Sequence, residues 1–192
     1  MRIAGTAIPG AYTVTPQLLP DERGRFYESM RADKLEEVTG EPFVPRQVSY
    51  SVSHRNTLRG IHTVRIPPGQ AKYVTCVRGA LLDVIVDLRI GSPAFGRHHA
   101  VTLDAESGRA LYIPEGVGHG FRTLADDTCI CYLMSTVYAP GTQIDINPLD
   151  PAMDLPWELT ESPLISPRDL AAPTLAETVA AGVLPHYTEG PV

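Results

Sequence analysis

The stretch Lys72–Leu88, KYVTCVRGALLDVIVDL, decides the fold class. It holds two runs rich in apolar and β-branched residues, Lys72–Arg78 and Ala80–Leu88, parted by Gly79. Each run has the length of a single strand. Within Leu81–Leu88, Asp83 and Asp87 fall on the same side at a period of two, which is strand spacing and not helix spacing. Outward from here the pattern repeats. Eighteen prolines and sixteen glycines punctuate the chain, roughly every eight to twelve residues, the rhythm of an all-β sandwich or barrel. Further predicted strands are Ala11–Leu18, Val44–Ser53, Leu58–Thr63, Arg97–Leu103, Arg109–Ile113, Gly120–Thr123 and Thr128–Val137.

Helical pattern is confined to short flanking segments, mainly C-terminal. Ala32–Thr39 is rich in helix formers and stops at Gly40, a C′ residue. Ser166-Pro167-Arg168-Asp169 and Thr174-Leu175-Ala176-Glu177 each carry the spacing of a capping box, and Gly182 ends the second helix. Gly141–Trp157 is irregular and proline-rich and reads as a wrapping arm. The expected organisation is one domain over residues 1–192, with a β core at about 11–140 and the arm and helices at 141–192. If the strands form a jelly roll, two sheets face each other and leave a mouth for a small ligand.

Hydrophobic residues make up 43% of the chain and charged residues 20%, as in an ordinary globular protein. A net charge of -6 and a pI near 5.5 argue against a general nucleic-acid binder. Any basic site must be local. The opening MRIAGTAIPGAYTV lacks a basic region before an apolar core, and no later run approaches the roughly 20 apolar residues of a membrane span. A cytoplasmic protein is expected. Cys76, Cys129 and Cys131 lie in apolar runs without a CxxC pair, so reduced thiols are expected and not disulfides or zinc ligands.

Chemistry gathers in Leu58–Lys72, LRGIHTVRIPPGQAK, where Arg59, His62, Arg65 and Lys72 surround a Pro67-Pro68-Gly69 turn. Cations around one imidazole suit an anionic ligand and a proton transfer. Each residue also has an ordinary explanation. His62 can be a core histidine bonded to a carbonyl, and Lys72 a solvated charge at a strand end. Strict alternation puts Arg59 and His62 on opposite faces, so a bulge is needed to aim both inward. Functionally, Lys72 would stabilise an oxyanion formed beside a ketone. Tyr132, inside an apolar run, is either a satisfied core phenol or a proton donor. His119 follows a tight turn and is a surface turn residue, a metal ligand or an oxyanion donor. Asp169 is the acid of a capping box unless it reaches His62 Nδ1, where a carboxylate fixes the tautomer. Asp21–Glu28 reads as a hairpin turning at Arg23-Gly24, or as a clamp for a diphosphate and a base.

These residues resemble the dTDP-4-dehydrorhamnose 3,5-epimerases, a branch of the cupin superfamily. The carriers are Asp21-Glu22-Arg23-Gly24 with Phe26 and Glu28, Gln47, Leu58-Arg59-Gly60-Ile61-His62, Pro67–Lys72, Tyr112–Phe121, Tyr138-Ala139-Pro140 and Ser166–Asp169. The resemblance implies an all-β cupin jelly roll and a homodimer that exchanges a strand near residues 21–28. The substrate it implies is a dTDP-4-keto-6-deoxyhexose, inverted at C3, C5 or both in deoxysugar biosynthesis, of rhamnose or natural-product type. His62 would be the base, Asp169 its partner, Tyr132 the acid on the opposite sugar face, and Lys72 the holder of the C4 oxyanion. Arg59 and Arg168 would meet the diphosphate, Gln47 and His119 would line the pocket, and Arg23, Phe26 and Glu28 would come from the other subunit. Neither metal nor cofactor is implied.

Three positions depart from the usual family pattern: Ser49 where asparagine is common, and Thr63-Val64 where a Tyr-Gln pair is common. They resemble variants acting on modified deoxysugars. Rival readings are a non-catalytic sugar-nucleotide-binding cupin, a ketoisomerase, and a metal-dependent cupin enzyme. For the last, Val64 breaks the usual HxH motif and leaves His62 and His119 as two ligands, too few for a catalytic site.

Overall fold

The computed structural model describes residues 1–188. Its elements in chain order begin with β1 (Arg2–Gly5), β2 (Tyr12–Thr15), β3 (Leu19–Asp21), β4 (Gly24–Phe26), α1 (Ala32–Thr39), β5 (Gln47–Ser53) and β6 (Thr57–Val64). Then come β7 (Lys72–Arg78), β8 (Ala80–Asp87), β9 (His98–Asp104), β10 (Ala110–Ile113), β11 (Val117–Thr123) and β12 (Thr128–Met134). The C-terminal part adds β13 (Gln143–Asp145), β14 (Leu164–Ile165), α2 (Pro167–Leu170) and α3 (Leu175–Ala180). Two sheets face each other, ordered β1-β2-β10-β7-β12-β5 and β13-β6-β11-β8-β9, with β14 added parallel to β6. This is the expected jelly-roll sandwich of the cupin type. Among the described residues no helix is long and apolar enough to cross a membrane.

The quoted stretch supplies one strand to each sheet, so Gly79 is a crossing point and not a simple hairpin turn. It takes φ +77, and a Cβ there would stand 2.5 Å from Thr128 Oγ1. The inner faces of β7, β8, β11 and β12 close on one another through Val74, Cys76, Leu81, Ile85, Phe121 and Ile130. Asp83 and Asp87 share this inner side and are fully buried. Burial of a carboxylate demands partners. Asp87 takes Arg89 and Ser92, and Asp83 takes His119.

The opposite face of β8 is buried too. Val84, Val86 and Leu88 pack with Leu58, Ile144, Ile146, Met153 and Trp157, so the C-terminal arm wraps the second sheet as expected. Trp157 anchors the arm, its indole N–H donating to Pro148 O at 2.7 Å. Part of the arm is regular: Gln143–Asp145 forms the edge strand β13, which the irregular reading of Gly141–Trp157 missed. It was missed because three residues carry no periodicity. β1 was missed for the same reason, and β2 is shorter than Ala11–Leu18.

The helices follow their caps. α1 spans Ala32–Thr39 and ends on Gly40 with φ 76. α3 begins with a complete capping box, Thr174 and Glu177 bonding reciprocally. At α2 only half the box forms: Ser166 accepts from the Asp169 amide, while the Asp169 carboxylate points elsewhere. Cys76, Cys129 and Cys131 are free thiols, as expected.

Candidate active site

β6 is where the base strand must solve the facing problem posed by Arg59 and His62. Its register against β11 slips by one residue: His119 pairs with His62 and Phe121 with Arg59. Two β6 residues, Gly60 and Ile61, therefore oppose Gly120 alone. This is the bulge that alternation required. Glycine is needed at both positions, because a Cβ on Gly60 would lie 2.5 Å from Gly120 Cα and one on Gly120 would lie 2.8 Å from Arg59 O. The slip brings Arg59 and His62 onto the same cavity of about 370 Å³, with Lys72, His119 and Tyr132.

His62 meets Asp169 across 107 positions of sequence. Its Nε2–H donates to Asp169 Oδ1 at 2.7 Å. The expectation had Nδ1 in this role; the structure uses Nε2, which leaves Nδ1 without a protein partner among the described residues. Asp169 is 4% exposed. Burial opposes its ionisation, but the hydrogen bonds from His62 and Ser166 hold the carboxyl below its ordinary range. An ionised Asp169 fixes the proton on Nε2 and makes the other ring nitrogen the basic one.

The facing wall belongs to the other sheet. β7 places Lys72 and β12 places Tyr132 on the inner side, with Met134 opposite Lys72 in register. Burial lowers the Lys72 ammonium to about 8, against a raising pull from Asp83. Lys72 makes no hydrogen bond or ion pair among the described residues. Burial also pushes the Tyr132 phenol well above its ordinary value, with Ser51 pulling the other way, so the hydroxyl stays protonated. The two hydroxyls lie 3.4 Å apart. Gln47 and Ser49 follow on the inner side of β5, joined at 3.0 Å.

His119 sits inside β11, which starts at Val117 and not at Gly120, so the reading of a surface turn residue is overturned. It is 4% exposed. Its Nε2–H donates to Asp83 Oδ2 at 2.8 Å, and its ring meets Tyr132 edge-on at 6.0 Å between centroids. Asp83 was missed as a site residue; its signal was an acid inside an otherwise apolar strand. Asp145 was also missed, having no motif around it. Its Oδ1 lies 3.6 Å from His62 Nε2.

Two sets of expected substrate contacts lie apart from the cavity within this chain, and of these Arg23, Phe26 and Glu28 were expected from the other subunit. Arg168 does not line the cavity: Asp145 holds its guanidinium, with Nε to Oδ2 at 2.8 Å. Arg23, Phe26 and Glu28 sit on and beside the exposed β3–β4 hairpin, away from the cavity, with Phe26 65% exposed. As for metals, His62, Asp145 and Asp169 bring ligand-type atoms within 4.8 Å. Gln143 and Arg168 already occupy Asp145. A cation would have to displace a guanidinium, so the donor set fits a hydrogen-bonded relay.

The cavity therefore has an imidazole on one sheet, backed by a carboxylate from α2, and on the other sheet a phenol and an ammonium without a partner among the described residues. A model of the family described as dTDP-4-dehydrorhamnose 3,5-epimerase matches residues 5–177. The chain belongs to that family. A Streptomyces niveus relative named dTDP-4-dehydrorhamnose 3-epimerase is 48% identical over 187 residues, covering 97% of this chain and 90% of that one. A Mycolicibacterium smegmatis relative named dTDP-4-dehydrorhamnose 3,5-epimerase is 46% identical over 183 residues, 95% of this chain and 90% of that one. Among solved structures, NovW, a 4-keto-6-deoxy sugar epimerase from the novobiocin cluster of Streptomyces spheroides, superposes with a TM-score of 0.95 at 47% identity. That match covers 97% of this chain and 94% of NovW. ChmJ, a 3′-monoepimerase from Streptomyces bikiniensis solved with dTDP-quinovose, gives 0.91 at 48% identity over 95% and 92% of the chains.

Proposed function

We propose that this epimerase inverts C3 of a dTDP-4-keto-6-deoxyhexose through an enolate, without metal or cofactor. The observation that carries it is the placement of His62 and Tyr132 on opposite sheets across one cavity. A C4 ketone acidifies the neighbouring C–H. His62 takes the C3 proton, and the C–H electrons move into the carbonyl to form the enolate. Lys72 meets the resulting oxyanion, a contact that grows stronger as charge develops. Tyr132 then delivers a proton from the other face, which inverts the centre. Asp169 keeps the imidazole oriented throughout.

Where a relative's name gives a centre, C3 is among them: relatives at 48 to 49% identity are named 3-epimerases, and those at 41 to 46% 3,5-epimerases. Arg59 is the guanidinium that the cavity offers to a diphosphate, with Gln47 and His119 on the same lining. Arg23, Phe26 and Glu28 complete the site from the other subunit of a homodimer. Two features support that assembly. The hairpin that carries them is exposed, and the outer face of β5 shows Val48, Tyr50 and Val52 at 54 to 64% exposure, an apolar stripe awaiting cover. Residues 1–192 form one catalytic unit in this reading, since Asp169 comes from the C-terminal arm. The enzyme works in the cytoplasm on a soluble nucleotide sugar.

Incubation with dTDP-4-keto-6-deoxyglucose in deuterated water, followed by proton NMR, tests the proposal. Deuterium enters C3, and its presence or absence at C5 separates the two activities. His62→Ala loses exchange while dTDP binding stays within a few-fold. Exchange retained in that variant would assign the base elsewhere.

A further inference from the structure

The base of this site faces two carboxylates. Besides Asp169, His62 Nε2 has Asp145 Oδ1 at 3.6 Å, and Asp145 stands directly opposite His62 in the β13–β6 register. Asp145 is itself held: Gln143 Nε2 donates to Oδ1 at 2.6 Å, and Arg168 donates to Oδ2 from Nε at 2.8 Å and from a terminal nitrogen at 2.6 Å. One short helix, α2, delivers both Asp169 to the ring and Arg168 to Asp145. The result is a chain of alternating charge, imidazole to carboxylate to guanidinium, running outward from the cavity wall.

We infer that Asp145 is a positioning residue that sets the basicity of His62, with Arg168 moderating it. The inference rests on the reading of His62 as the base. When His62 takes the substrate proton it becomes a cation, and a carboxylate so near favours that form. The guanidinium bound to Asp145 cancels part of this pull. The two residues therefore act on His62 with opposite sign, which no merely structural role requires. The other charged or titratable groups around the ring are few. β11 contributes His119, already bonded to Asp83; α2 contributes Asp169; β7 and β12 contribute Lys72 and Tyr132 across the cavity; and β6 itself contributes Arg59, with Arg65 just beyond it. None of these groups is bonded to Asp145 or to the Arg168 guanidinium, whose partners are Gln143 and one another.

The test is the pH profile of kcat/KM for C3 deuterium exchange. The acid limb marks the pH at which the base becomes neutral. Asp145→Asn should move that limb down by roughly half a unit to one unit, since the pair is partly exposed and partly neutralised. Arg168→Gln, which leaves Asp145 uncompensated, should move it up by about 0.3 to 0.5 units, the smaller shift reflecting an exposed guanidinium. The double variant should fall between them. An unmoved limb in Asp145→Asn, or two shifts of the same sign, would overturn the inference. If Asp145→Asn does not fold, Arg168→Gln decides alone: an upward shift supports the inference and an unmoved limb overturns it. Exchange surviving in His62→Ala would instead overturn the assignment of the base, a separate outcome.

Discussion

At the scale of single residues, the site is an exercise in deciding protonation states before substrate arrives. Asp169 stays ionised despite burial because His62 and Ser166 bond to it, and that choice puts the ring proton on Nε2. Tyr132 stays protonated because burial disfavours the phenolate. Lys72 is the delicate member. Its ammonium is held at about 8, so the charge that receives the oxyanion is largely present at neutral pH and lost as pH rises through that value. The rate of exchange in the absence of saturating substrate should therefore fall on the alkaline side with a midpoint near 8. Lys72→Met should remove that limb and lower kcat by roughly 10²- to 10³-fold, the usual cost of losing one oxyanion partner. KM should move less, a split that steady-state kinetics at several pH values would read.

At the scale of elements, the sequence told most about regular strands and least about what one strand does to its neighbour. The runs at Lys72–Arg78 and Thr128–Met134 were readable as strands from their apolar, β-branched composition, but both are buried without alternation, so the inward set of Lys72, Val74 and Tyr132 came only with their pairing. β6 does not follow strict alternation, and Arg59 could be placed beside His62 only by supposing a bulge. The register slip at Gly60 supplies that bulge, and the need for two glycines there comes from a backbone approach that no single-strand pattern encodes. Asp145 was illegible because its strand is three residues long and gets its meaning from pairing with His62. The pairing of Arg168 with Asp145 was illegible for the same reason: the partner strand was invisible. Gly60→Ala tests the bulge. The added methyl has no room and the backbone sits at φ +122. A loss of about 2 kcal/mol or more is expected, seen as a thermal midpoint lower by roughly 4–10 °C. Activity should fall further than stability alone explains, since Arg59 and His62 lose their common side.

At the scale of the whole molecule, two surfaces and one cavity divide the labour. The arm beyond residue 141 seals the second sheet and carries Asp169 to the base, and the β3–β4 hairpin is exposed on the surface of this chain. If each site draws its base from one chain and Arg23 from the other, inactive variants should complement. Mixing His62→Ala with Arg23→Ala and allowing subunits to exchange should restore about a quarter of the wild-type sites, because half the dimers are mixed and each mixed dimer has one intact site. Activity no greater than the sum of the separate variants would place Arg23 outside the site. The two-wall arrangement itself is tested most directly by Tyr132→Phe in deuterated water. His62 should still take the C3 proton and return deuterium from its own face, so NMR should show exchange at C3 without the inverted sugar. Inversion at the wild-type rate in that variant would contradict the placement of acid and base on opposite sheets.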